Sequence, residues 1–197
     1  LGSLSDFTLR TLLRKWSLDP ARDTVIRPMG GYPEILAGMQ SGMLDGGIFS
    51  PPGNLNALAL GYREFIDAGT LGVEYASTCY GTTRRFIREH RETVAQYTRA
   101  LTQAIHRFKT DKAGSLKIMQ QYIKNRDPKV LEETYRVYAL QYLPKAPYPT
   151  RNGAKTILDS FAESAMPEAK KAEPENFVDA SFVQELDKSG WIDRLYQ

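Results

Sequence analysis

At residue 84 the apolar pattern of this chain changes period. Before it, short helical stripes alternate with short apolar runs of strand character. After it, nearly every segment repeats with helical period. The first stripe is Leu9, Leu12, Leu13 and Trp16, at i, i+3, i+4 and i+7, behind Ser3 and Asp6 in capping-box spacing. Asp19-Pro20 should end it, because the residue before a proline avoids the α region. Residues 24–27, 44–49 and 62–67 read as strands. Residues 33–41 and 51–60 read as helices, opened by prolines and closed by Gly42 and Gly61. The Gly46-Gly47 pair in the second strand suggests that another group packs closely over it. Alternation in units this short predicts a parallel α/β sheet.

A further strand-like run, residues 75–83, leads into the second half. There the spacing predicts a long helix over 92–110, one after Asp111 and one after Asp127-Pro128. Pro144, Pro147 and Pro149 then break the chain before a helix over 152–164, and Gly190 splits two last short helices. The chain opens on a helix cap with no strand to feed it, and its later helices have apolar faces without a sheet to cover. Both features point to a piece of a larger molecule whose N-terminal lobe lies outside these 197 residues.

Composition works mainly by exclusion. A formal charge of +3 is too small and too dispersed for a nucleic-acid binder, which clusters its Lys and Arg on one face. The densest basic run, Arg84, Arg85, Arg88 and Arg91, is interrupted by Glu89 and Glu92 and reads as a solvated helix face. No apolar run approaches the roughly 18 residues of a membrane span, and the start has no basic leader pattern. The single cysteine, Cys79, excludes an internal disulfide and a CxxC metal site. No GxSxG elbow, HExxH helix or P-loop is present. A nucleophile–base pair is open only to Cys79 with His90 or His106, and nothing in the sequence brings them together. No catalytic residue, metal or cofactor is therefore expected, and Cys79 reads as a small packed residue.

Several phrases carry a resemblance. They are Leu1-Gly2-Ser3-Leu4-Ser5-Asp6-Phe7, Gly30-Gly31-Tyr32-Pro33-Glu34-Ile35-Leu36, Met39-Gln40-Ser41-Gly42-Met43-Leu44-Asp45, Phe49-Ser50-Pro51-Pro52 and Thr83-Arg84-Arg85-Phe86-Ile87. The tail adds Phe177-Val178-Asp179 and Ser189-Gly190-Trp191-Ile192-Asp193. In order and spacing they resemble the periplasmic substrate-binding proteins of ABC importers for nitrate, sulfonates and taurine, relatives of the binders of thiamin-pyrimidine precursors. The resemblance implies a two-lobed α/β fold of the type II periplasmic-binding kind, here a partial chain. Residues 1–74 would be the second lobe without its first strand, and residues 75–83 the crossing strand. Residues 84–197 would be a helical region packing on the first lobe. Leu71, Tyr75, Thr78 and Cys79 would then lie at the hinge. The resemblance further implies a protein that is periplasmic, or extracytoplasmic and membrane-anchored. It would be monomeric at full length and would deliver a small solute to membrane permease subunits.

In parallel α/β units, helix N-termini gather at the carboxyl ends of the strands, where ligands bind. Three such points can be named: Gly2, Ser3, Leu4 and Ser5; Gly31 and Tyr32; and Ser50, Pro51 and Pro52. Free N–H groups suit an anion, and Tyr32 could stack on a heterocycle. Each point has a plainer reading: capping for Ser3, a tight turn at Gly30-Gly31, helix initiation by proline at Pro51. Two other functions remain open at this stage, an effector-sensing domain of a cytoplasmic regulator and an enzyme like the thiamin-pyrimidine synthases.

Overall fold

The computed structural model describes residues 2–123, 126–164 and 166–197. The chain forms two compact units, Leu1–Val73 and Glu74–Gln197.

The first unit holds α1 (Leu4–Lys15), α2 (Tyr32–Gln40), α3 (Gly53–Ala59) and a 3-10 turn at Ala68–Leu71. Ser3 caps α1 by accepting the Asp6 N–H at 3.3 Å. Leu12 and Leu13 are buried, whereas Trp16, the last residue of the stripe, is half exposed. The helix stops before Asp19-Pro20. Ser17 takes the left-handed conformation at φ 60°, its N–H bonds Arg14 O at 2.9 Å, and Leu18 N–H bonds Leu13 O at 2.9 Å. That double closure is a Schellman motif. α2 ends with Gly42 at φ 75°, and α2 and α3 pack on each other.

The α/β expectation fails. No residue among those described is in a strand, so there is no parallel sheet and no type II α/β lobe. Segments 24–27, 44–49, 62–67 and 75–83 carry strand-like side chains but are irregular. The reason is the missing lateral partner, since a strand is stable only when a neighbour takes up its N–H and C=O groups. Outside the helices, the backbone hydrogen bonds among described residues all join positions at most six apart. Val25 at 80% and Phe65 at 85% exposure, which should pack a sheet face, lie in solvent instead. The close approach at the glycine pair is real but comes from a helix. A Cβ on Gly47 would lie 2.3 Å from Ile35 Cγ2 of α2, while Gly46 has open space.

The second unit is helical: α4 (Arg84–Glu89), α5 (Arg91–Thr110), α6 (Lys112–Tyr122), α7 (Pro128–Val137), α8 (Arg151–Ser164), α9 (Ser181–Lys188) and α10 (Trp191–Leu195). Local side chains set the helix starts. Thr83 accepts from Phe86 N–H at 3.1 Å, Asp111 from Gly114 N–H at 2.9 Å, and Asp127 from Lys129 N–H at 2.9 Å. The core joins α6 and α7 through Met119, Leu131, Tyr135 and Ala139, with Phe108, Leu116 and Ile123 packed against it. α7 continues into one π turn, Tyr138–Tyr142. α9 and α10 lie on α5, where Arg91 sits 4.6 Å over the Phe182 ring and Arg99 4.5 Å over Trp191. Residues 75–83 belong to this unit. They meet α8 backbone to backbone, since a Cβ on Gly153 would lie 2.9 Å from the Ala76 nitrogen.

Candidate functional site

The start of α1 is closed upon itself. Ser3 Oγ and Ser5 Oγ share a hydrogen bond at 2.9 Å, and the Gly2 N–H donates to Asp6 Oδ2 at 2.8 Å. Asp6 also pairs with Arg10 at 2.9 Å. A side-chain carboxylate therefore already stands where the helix dipole would favour a bound anion. α2 repeats the theme. Glu34 folds back over the glycine turn, its Oε2 3.1 Å from where a Cβ of Gly31 would be.

Tyr32 and the 50–52 turn come together. The Tyr32 ring covers the backbone of Gly53 so closely that a Cβ there would lie 2.9 Å from the ring's Cγ and Cδ2. The same ring meets Phe49 with centroids 5.8 Å apart and planes tilted by 42°. Ser50 O accepts the Gly53 N–H at 2.7 Å, the Pro51-Pro52 bond is cis, and these residues turn the chain into α3. Asn54 follows, its Oδ1 buried without a hydrogen-bond partner. A buried amide oxygen with no donor is costly. Phe49, Gly53 and Asn54 are not among the site residues named from the sequence, although Phe49 opens the Phe49-Ser50-Pro51-Pro52 phrase. The signal available was the glycine directly after Pro51-Pro52, a position open to close cover by a ring.

Among the described residues no hydrogen bond joins this cluster to Gly2, Ser3, Leu4 or Ser5, whose hydrogen bonds stay within their own turn. Leu71 closes the 3-10 turn before Gly72 at φ 68°. Thr78 and Cys79 lie exposed in the second unit and Tyr75 is half-buried. Exposed Cys79 is not the packed residue expected of it, because no strand forms there to bury it. His90 lies against Phe86 at 4.6 Å and His106 meets Tyr196 edge-on at 4.7 Å, and neither contact involves Cys79. Among the described residues no group of three His, Cys, Asp or Glu could hold a metal, and no helix is long and apolar enough to cross a membrane.

The sequence profile of the NMT1-like family matches residues 1–123. The chain belongs to the NMT1-like family. The match takes in the whole first unit and runs to the end of α6. Neither a curated protein nor a solved structure matches the chain. Membership of the NMT1-like family suggests a substrate-binding role, of the kind that serves ABC transporters. The family consists mostly of binding proteins and also includes synthases.

Proposed function

We propose that this NMT1-like chain captures a small solute outside the cytoplasm and passes it to the permease subunits of an ABC importer, without transforming it. The family match over residues 1–123 carries this reading. Within the first unit, the surface of Tyr32, Phe49, Gly53 and Asn54, continued by Gly31 and Ser50–Pro52, is the proposed contact region. The Tyr32 and Phe49 rings suit a flat, uncharged heterocycle. Asp6 and Glu34 at the two longer helix starts weigh against an inorganic anion.

A thermal-shift panel on the chain tests this, with pyrimidines and purines on one side and nitrate, alkylsulfonates and aromatic carboxylates on the other. A ligand at a hundred times its dissociation constant stabilises the folded state by about 2.7 kcal/mol. For a protein of this size the midpoint should rise by roughly 5–10 °C. The hit should be recovered unchanged, and Tyr32→Ala should abolish the shift. A rise with anions alone, or one that survives Tyr32→Ala, refutes the site. Conversion of the ligand refutes the binding role.

A further inference from the structure

Three of the four arginines in the basic run have their guanidinium groups engaged. Arg84 donates to the carbonyls of Glu175 and Asn176 at 3.1 and 2.8 Å, Arg85 pairs with Glu89 at 2.9 Å, and Arg91 pairs with Glu185. Arg88 has no hydrogen bond or ion pair among the described residues. With Arg84 and Ile87 it lines a cleft of about 180 Å³ whose fourth wall is Asp179. Positions 84, 87 and 88 share one helix face. Asp179 spends one oxygen, Oδ1, on both the Ser181 N–H at 3.0 Å and the Ser181 hydroxyl at 2.6 Å. Its Oδ2 has no bond among the described residues. The Ser181 hydrogen bonds, with Arg91 and Arg84 nearby, hold this carboxyl below its usual range, so it is charged at neutral pH.

We propose that this cleft is a subsite for a small carboxylate bearing an adjacent hydrogen-bond donor, an α-hydroxy or α-amino acid. The Arg88 fork takes the carboxylate, as guanidinium geometry favours. Asp179 Oδ2 accepts from the hydroxyl or ammonium group, and Ile87 lines the apolar part of the cleft. Two guanidinium charges against one carboxylate leave the cleft net positive, which admits a monoanion or zwitterion. Asp179 repels an anion that lacks a donor. The volume is below the range of drug-sized pockets, so the occupant has only a few heavy atoms. The site lies outside the Tyr32 region and stands whether or not the first unit binds a heterocycle.

Lactate and propionate differ by the hydroxyl alone and make the test. At constant ionic strength, lactate titrated into the labelled chain should shift the Arg88 side-chain Nε–H and the Ser181 amide resonances. Propionate should bind about tenfold more weakly, and Arg88→Gln should weaken lactate by about tenfold or more. Should Arg88→Gln fail to fold, Arg88→Lys keeps the charge, loses the fork and should weaken lactate as well. Equal affinity for the two acids, no shift up to about 10 mM lactate, or undiminished affinity in the folded Arg88 variant overturns the proposal.

Discussion

The π turn after α7 leaves one carbonyl without a backbone donor, and a lysine from another helix supplies it. Leu143 N–H bonds Tyr138 O, five residues back, at 3.0 Å. The two backbone groups that could serve Ala139 O are therefore gone: the N–H of Leu143 is used, and residue 144 is a proline with none. Ala139 is fully buried. Lys109 of α5 donates its ammonium to Ala139 O, and to Leu143 O at 2.8 Å. Lys109→Met keeps the aliphatic stem and removes the donor. A charge-assisted bond to a buried carbonyl contributes about 1.5–3 kcal/mol, and the second, at a half-buried residue, about 0.5–1.5. Freeing the ammonium from partial burial offsets some of this, so a loss of about 2–3 kcal/mol is expected.

The chain's two tryptophans make the effect readable, because Trp16 lies in the first unit and Trp191 in the second. In a Trp16→Phe background, urea unfolding followed by tryptophan fluorescence reports the second unit alone. Lys109→Met should lower its midpoint with an unchanged slope. Pro144→Ala restores an N–H at the position that α7 lacks, so Lys109→Met should cost less in that background. A loss below about 0.5 kcal/mol, the scatter of ordinary surface changes, or the same loss with and without Pro144, would refute the reasoning.

Ser17→Gly should stabilise the first unit by about 0.5–1 kcal/mol in the same assay read through Trp16, since Ser17 sits at φ 60° where glycine is unstrained. Gly53→Ala trades up to about 1 kcal/mol of helix propensity against about 1–3 kcal/mol of overpacking on Tyr32. A net loss near 1 kcal/mol, together with loss of solute response in the thermal-shift panel, is expected. Leu131→Ala, at 1% exposure in the α6–α7 core, should cost about 2–5 kcal/mol in urea unfolding of the second unit. Asp179 has a folded-state pKa below its unfolded value, so its contribution is present above the unfolded value and is lost as pH falls. Asp179→Asn should therefore be less stable than wild type at pH 7. The gap should narrow below about pH 4.

Helix starts and stops were legible because their causes lie within one turn of chain. Ser3, Thr83, Asp111 and Asp127 each cap with a side chain two or three residues from its partner, and Gly42 and Gly190 adopt the left-handed conformation that glycine permits. Strands are different in kind. Residues 24–27 and 62–67 have strand-like side chains, but a strand exists only with a neighbour, and neighbours are set by the whole fold. The strand reading therefore inferred a long-range fact from a local pattern, and exposed Val25 and Phe65 are where it fails. The same distinction runs through the sites. Tyr32 and Ser50–Pro52 could be named one turn at a time, but their meeting over Gly53 depends on the packing of α2 on α3. Arg88 is alike on paper to Arg84, Arg85 and Arg91. Glu89 of the same helix engages Arg85. The course of the chain from Glu175 to Glu185 engages Arg84 and Arg91 and leaves the Arg88 guanidinium facing a cleft. In a run of like charges the functional candidate is the residue that folding leaves without a structural task, and only the assembled unit can single it out.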